Sequence, residues 1–393
     1  MKTIYFVAGE VSADNHGAAL MRCLRELDPA LKFIGRGGPQ MQQVAGAQFK
    51  NWVGDAAVLG LWEVLRQYGY FREQFRETLK EIQERKPDAV VLIDYPGFNL
   101  RLARALQRRS PRPRIIYYIS PQVWAWNPGR IKRMARSVDL VLCIFPFEAD
   151  LYNESGMRAV FVGHPMIERL QARKIDAERD PSLIGLFPGS RLREVRKIFP
   201  IMIETARLLL QAMPTLHFQV AAPSEELARE MNKALAAKTP LPLSRGEGRV
   251  RGATSQNHDA IEITIGETAE IMQRAWAGIV ASGSATLEAA YFRMPFVLIY
   301  KVAWPTYLAA RVVVNVNYLG MPNLLADREV VPEFIQQQAK PGAIAKAVGL
   351  IVEDTHAREQ MISEFDAIIG KLGGSGASER AARAILKEIG RST

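Results

Sequence analysis

Asp94 stands at the end of an apolar run, Val90 to Ile93, and the turn residues Pro96 and Gly97 follow at once. A carboxylate so placed can take a proton from an attacking hydroxyl, provided that a ligand binds there. The run does not alternate with polar residues, which predicts a central parallel strand covered on both faces. The carboxyl ends of such strands are where open α/β sheets bind ligands. The position equally suits a cap for a helix beginning near Asn99 or a brace for the turn, and the residues alone leave these roles open.

Two clusters in the second half suit an anion. LFPGSR, ending at Arg191, places Gly189 where a ligand can approach the backbone, Ser190 at a helix start with free amides, and Arg191 as a fork for phosphate. ASGSATLE, from Ala281, follows a strand and opens a helix, so Ser282, Gly283, Ser284 and Thr286 present small polar groups and amides to a diphosphate. Glu288 lies one turn into that helix, where a carboxylate can accept both protons of a ribose diol. A capping box led by Ser284 is the lesser alternative, because the spacing to Glu288 is four rather than three. Together the clusters describe a nucleoside diphosphate site. His16 and His164 are single and read as structural or hydrogen-bonding residues rather than ligands, and no cluster of His, Cys and carboxylates has metal-ligand spacing.

The elements that must position these groups alternate between strand and helix. Strands are expected at Thr3–Ala8, Lys32–Gly35, Ala89–Asp94, Arg114–Ser120, Leu140–Phe145 and Ala159–Val162, then at Leu183–Phe187, His217–Ala222, Ile261–Ile265, Gly278–Ala281 and Pro295–Tyr300. A polar link, Met166–Pro181, separates the halves. This pattern predicts two doubly wound parallel sheets with a cleft between them. Gly9 and Gly17 bracket a polar loop, GEVSADNHG, ahead of a helix at Ala18–Leu27. The loop lacks GxGxxG, so no dinucleotide cofactor is expected. Thr239–Asp259, rich in Pro, Gly and Arg, reads as a flexible surface insertion. Gly373–Gly376 is a break before a final helix capped by Ser378, with Ala381, Ala384, Ile385 and Ile389 on one face.

With 393 residues, 48% hydrophobic and 23% charged, the chain is sized for two globular domains. Its net charge of +10 favours anionic partners: nucleic acid, phosphorylated metabolites or an acidic membrane surface. Cys23 and Cys143 read as core residues in a reducing compartment. The start, MKTIYFVAGE, enters a strand without the features of a secretory signal, and no apolar run spans a bilayer, so any membrane contact is expected to be peripheral.

GEVSADNHG, IDYPGFN, SPQVWAW from Ser120, FVGHP from Phe161, LFPGSR, SGSATLE and MPNLLADREVVPE from Met321 stand in the order and spacing of the lipid-A-disaccharide synthase family. The chain resembles that family over nearly its whole length. The resemblance implies a GT-B fold of two Rossmann-like domains facing a central cleft. Residues 1–168 would form an acceptor- and membrane-facing domain, and 169–355 a UDP-sugar domain with the insertion at about 239–259. Helices in 356–393 would pack back across the domains or onto a dimer partner. The implied reaction is inverting, metal-independent and free of cofactors. UDP-2,3-diacylglucosamine and 2,3-diacylglucosamine 1-phosphate (lipid X) give the β-1,6-linked disaccharide phosphate and UDP, at the cytoplasmic face of a Gram-negative inner membrane.

On this resemblance Asp94 is the base, Gly189, Ser190 and Arg191 hold the diphosphate and leaving UDP, and Glu288 takes the ribose. Asn323, with Glu10 and Ser12 of the first loop, would line the cleft. Ala13 departs from the family's usual inner glycine in that loop, Gly97 replaces a frequent acidic residue, and the insertion is unusual.

Val58, Leu59, Leu61, Trp62 and Leu65, followed by Arg66, Arg72 and Arg76, form either a core helix or a docking helix. Composition alone favours the core, but the acylated substrate that the resemblance implies tips the reading to membrane docking. Trp304–Val314 is a weaker second docking segment. Two other functions compete. UDP-sugar 2-epimerases resemble the same fold and grip UDP similarly. A nucleic-acid-binding role through Arg245, Arg249 and Arg251 ranks last, because the segment lacks interleaved aromatics for base stacking.

Overall fold

The computed structural model describes residues 1–53, 68–122, 124, 129–238, 260–304, 307 and 316–390. The chain divides into two compact units, Met1–Glu168 with Lys371–Thr393, and Arg169–Gly370.

In the first unit the strands are β1 (Thr3–Ala8), β2 (Lys32–Gly37), β3 (Lys50–Asn51), β4 (Ala89–Ile93), β5 (Arg114–Tyr118), β6 (Leu140–Cys143) and β7 (Ala159–Phe161). They pair in parallel in the order β3-β2-β1-β4-β5-β6-β7. The second unit holds β8 (Asp180–Phe187), β9 (His217–Ala222), β10 (Ile261–Ile265), β11 (Ala275–Ala281), β12 (Phe296–Tyr300) and β13 (Glu333–Ile335). Their order, β10-β9-β8-β11-β12-β13, repeats the first pattern, again all parallel. Each is the Rossmann order, and each reverses direction at one point: between β1 and β4, and between β8 and β11.

The lack of alternation in the strands has a direct structural meaning. All five residues of β4 are buried, with Val90 and Leu92 in one core cluster and Ala89, Val91 and Ile93 in another on the opposite face. Helices therefore cover the first sheet on both sides, as a parallel sheet requires. The helix Leu192–Ala212 shows the complementary period, burying Val195, Ile198, Phe199, Met202, Ile203, Ala206 and Leu209 along one stripe.

Several expected details differ. β3 and β13 have two and three residues, too short for a periodic signal. The helix expected from Ala18 begins at Val11, so Ser12 stands in its first turn and Gly17 lies inside it. Asp14, within this earlier start, is buried and its carboxylate accepts N–H groups of Gly38, Gln40 and Met41 at 2.8–3.0 Å, capping the helix Pro39–Ala45 from outside. The cap of the helix Ala377–Ile389 is Gly376, at φ +91°, and Ser378 lies buried within the helix. Ala381, Ala382 and Ile385 of that helix join the first unit's core, with Ala384 and Ile389 partly buried beside them. The segment Val58–Arg66 and the insertion Thr239–Asp259 lie outside the described residues, as does most of Trp304–Val314. Arg72 and Trp304 are described, and both are exposed.

Candidate functional site

At the first switch point Ala8 pairs with Ile93, so the chain leaving β1 at Gly9–Glu10 runs level with the chain leaving β4 at Asp94. Asp94 and Tyr95 both adopt the left-handed conformation, at φ +46° and +49°. Two consecutive non-glycine residues there are strained, and such strain persists only where the surroundings impose it. The restraints are visible. Asn99 Nδ2 donates to the carbonyls of Ile93 and Asp94, at 3.2 and 2.8 Å, and the Tyr117 hydroxyl donates to the Asp94 carbonyl at 2.5 Å. The Tyr95 ring lies against Gly9, where a Cβ would come within 2.4 Å of it.

Asp94 is not a helix cap. The helix starts at Pro96 with Tyr95 as its N-cap, and no side chain caps it. Instead burial, and then the Glu10 carboxylate, push the Asp94 carboxyl up to about 6, against the opposing effect of the Tyr95 N–H. That value leaves Asp94 ionised at neutral pH yet more basic than an ordinary aspartate, as a general base should be. Glu10 is exposed, and its charge reaches Asp94. Replacing it, Glu10→Gln, is expected to lower the titration of the Asp94 carboxyl by a fraction of a pH unit, read by carboxyl-carbon NMR. A titration that stayed in place would show that Glu10 does not tune Asp94.

At the second switch point Val280 pairs with Phe187, so LFPGSR and ASGSATLE leave adjacent strands side by side. Gly189 has φ +106°, and a Cβ on it would meet Glu194 Oε2 at 2.8 Å and Ala281 Cβ at 3.7 Å. The backbone conformation thus requires glycine here, whereas the Glu194 side chain could swing away from a Cβ. Ser190, Gly283 and Ser284 are exposed and Ser282 is half-buried. Arg191 is exposed and bonded at 3.1 Å to Glu194, which holds its guanidinium at the start of the helix Leu192–Ala212. Burial, and then Glu194, raise the hydroxyl of Tyr300 at the end of β12, and Arg191 opposes them. Glu288 is mostly buried and pairs with Arg169 at 2.7 Å. Ser284 is the N-cap but makes no capping hydrogen bond, so the capping-box alternative does not describe this turn.

Two expected ligand contacts become structural. Thr286 is fully buried, and its hydroxyl donates to the Gly283 carbonyl at 2.7 Å, closing the turn rather than facing a ligand. Asn323 is also fully buried. Its amide donates to the Val331 carbonyl and to Glu333, at 2.8 and 2.9 Å, and its oxygen accepts from Val330 and Val331, at 2.7 and 2.8 Å. Glu333 in turn receives the N–H groups of Leu319 and Gly320. Asn323 therefore braces the loop around it. Asn323→Ala would strand these buried partners and is expected to cost about 2–4 kcal/mol, read by urea unfolding. A loss below about 0.5 kcal/mol, the size of an ordinary surface change, would contradict the bracing role.

Reading by residue type and spacing passed over Glu194, Tyr300 and Arg169. Only Glu194 had a local signal, three residues beyond Arg191 on the same helix face.

Two Rossmann-ordered units, one ending its switch point in a basic carboxylate and the other in a pair of glycine–serine turns with an arginine, define the GT-B class. Solved structures agree: a UDP-GlcNAc 2-epimerase from Neisseria meningitidis superposes with a TM-score of 0.61 at 12% identity, covering 98% of this chain and 100% of that one. A calicheamicin glycosyltransferase gives a TM-score of 0.55 at 14% identity, covering 100% of this chain and 99% of that one. Within that class, the sequence model of the family described as lipid-A-disaccharide synthetase matches residues 4–385. Lipid-A-disaccharide synthases of Geobacter sulfurreducens and Syntrophus aciditrophicus are each 36% identical to this chain, over 99% and 100% of it and 97% and 99% of their own lengths. The chain belongs to the lipid-A-disaccharide synthase family, and it is a glycosyltransferase of lipid A biosynthesis.

Proposed function

We propose that the enzyme transfers 2,3-diacylglucosamine from UDP-2,3-diacylglucosamine to the 6-hydroxyl of 2,3-diacylglucosamine 1-phosphate, with inversion. The observation that carries this reading is Asp94, half-buried on a strained left-handed backbone, with its carboxyl raised to about 6. Asp94 takes the proton of the 6-hydroxyl as its oxygen forms a bond to the anomeric carbon. The bond from that carbon to the diphosphate oxygen breaks on the opposite face, and its electron pair leaves with UDP. One displacement inverts the centre, and no covalent enzyme intermediate is needed. Arg191, with Gly189, Ser190 and the Ser282–Ser284 turn, meets the charge developing on the diphosphate. Glu288, steadied by Arg169, accepts the ribose hydroxyls.

Incubating the protein with both substrates in detergent micelles, in the presence of a chelator, is expected to yield the disaccharide and UDP by mass spectrometry. A folded, UDP-binding sample that made no disaccharide would overturn the assignment, and epimerase substrates would then be tried.

The acyl chains of both substrates place the reaction at a membrane, and we propose peripheral association with the cytoplasmic face of the inner membrane. No helix among the described residues is long and apolar enough to cross one. Support comes from the distribution of charge. Residues 101–136 hold ten Lys or Arg and no Asp or Glu, which equals the net +10 of the whole chain. Burial, and then the neighbouring Arg133, Arg104 and Arg101, hold the Arg130 guanidinium below its usual value, so the helices Pro96–Gln107 and Gly129–Met134 bring like charges together. Such a face suits anionic head groups. Binding to phosphatidylglycerol vesicles is expected to fall steeply with salt and in a variant carrying Glu at positions 101, 104 and 133. Binding insensitive to both changes would remove this face from the membrane contact.

A further inference from the structure

The motif SPQVWAW has no part in the proton transfer or the UDP grip, yet its first residues are tightly organised. It leaves β5 next to the strand that ends in Asp94, since Ile93 pairs with Tyr118 and the Asp94 N–H donates to the Tyr118 carbonyl at 3.1 Å. Ile119 follows at φ +60°. For a β-branched residue this conformation is an outlier and needs external restraint. The Ile119 N–H is held by the Leu142 carbonyl of β6 at 3.1 Å, and the residues after it are held by the helix that follows β6. Glu148, fully buried on the helix Pro146–Glu154, accepts the Ser120 hydroxyl at 2.8 Å and the Trp124 indole N–H at 2.9 Å, while the Tyr152 hydroxyl donates to the Pro121 carbonyl at 2.8 Å. The Trp124 ring is half-buried and meets Phe147 edge-on, at 4.9 Å and 84°.

Glu148 also accepts the Phe145 N–H at 3.4 Å at the start of its own helix, a local role that leaves its bonds to Ser120 and Trp124 unexplained. The groups bearing on Glu148 are hydrogen-bond donors, Ser120, Trp124 and the N–H groups of Ile144 and Phe145. Cys143 and Tyr152 also face it, and burial keeps both neutral. His164 lies beyond, its ring against Phe145 at 5.3 Å. We propose that Glu148 is a positioning residue for the acceptor: its carboxylate clamps Ser120 and Trp124 so that the indole, pinned by its polar edge, offers a face to the C–H surface of the acceptor pyranose beside Asp94. This rests on the glycosyl-transfer reading above and adds to it the group that seats the acceptor.

The clamp works through the ionised carboxylate, which accepts from both donors at once. Burial raises the Glu148 carboxyl to about 7, so protonation loosens the clamp within a physiological range. Glu148→Gln, which can accept from only one donor, is expected to raise the KM for 2,3-diacylglucosamine 1-phosphate about tenfold while the donor KM stays within about twofold. The acid side of its kcat/KM profile should also lose one of two ionisations, keeping only that of Asp94. Independently of turnover, wild-type tryptophan emission should titrate near the Glu148 value, and the acceptor should quench it. Both signals should vanish in Trp124→Phe, and the titration should vanish in Glu148→Gln. Trp124→Phe leaves Glu148 bonded to Ser120, so it serves if Glu148→Gln does not fold.

Unchanged acceptor KM and pH profile in a folded Glu148→Gln, or emission titration and quenching that persist in Trp124→Phe, would overturn the proposal. A wild-type protein that makes no disaccharide, but whose emission titrates and is quenched in a Trp124-dependent way, would instead sink the transfer reading and leave the clamp standing.

Discussion

Asp94→Asn is expected to lower kcat by about 10³-fold, within the range that a positioned general base contributes, while UDP affinity changes by less than about twofold. The same substitution should make the protein more stable at neutral pH. Asp94 titrates near 6 in the folded chain, above its ordinary value of 3.8, because burial and Glu10 disfavour its charge. The folded state therefore holds this proton more tightly than the unfolded state does. The resulting stabilisation is full below the unfolded value and is lost as pH rises through about 6. Asparagine does not titrate, so the difference between variant and wild type should open between these two values. It should level off at on the order of 1–3 kcal/mol above them. Thermal unfolding at acid and neutral pH checks the sign. A variant that loses turnover without gaining stability would mean that Asp94 is not the strained, desolvated group described here, and unchanged turnover would remove it from the mechanism.

Arg191→Ala is expected to lower kcat/KM by about 10²-fold or more, with most of the loss in kcat, since the guanidinium is proposed to meet charge that appears as UDP departs. The fold should not suffer. Arg191 is exposed, and its bond to Glu194 is a surface pair three residues apart on one helix, worth at most a few tenths of a kcal/mol. Arg191→Lys should recover only part of the rate, because a point charge cannot reproduce the planar fork. Equal losses for substrates with good and poor leaving groups would count against a role at the departing phosphate. A rise in donor KM with unchanged kcat would restrict Arg191 to binding.

Much of this architecture was legible in the chain. Strands buried on both faces read as unbroken apolar runs, so Val90–Ile93 and Phe296–Ile299 announce themselves locally, as does the alternation with amphipathic helices such as Leu192–Ala212. The short edge strands Lys50–Asn51 and Glu333–Ile335 were not visible, because two or three residues carry no period. The first helix begins at Val11 rather than Ala18, and its polar first turn hides it from an apolar period. The part Asp14 plays there, gathering N–H groups of Gly38, Gln40 and Met41, lies outside the local pattern.

The sequence by itself determined two Rossmann-type halves, the glycine–serine turns after β8 and β11, and a carboxylate at the end of β4, since each depends on residue type and spacing within a few positions. Tertiary structure alone decided which of the polar groups remain exposed and which are consumed inside the fold. Thr286 and Asn323 look like binding residues in the sequence, yet folding buries them and satisfies them on the backbone. Glu148, Arg169 and the basicity of Asp94 depend on partners distant in the chain, Trp124, Glu288 and Glu10. Local periodicity follows from backbone geometry, which neighbouring residues share, whereas desolvation and charge pairing depend on what the completed fold brings within a few ångströms.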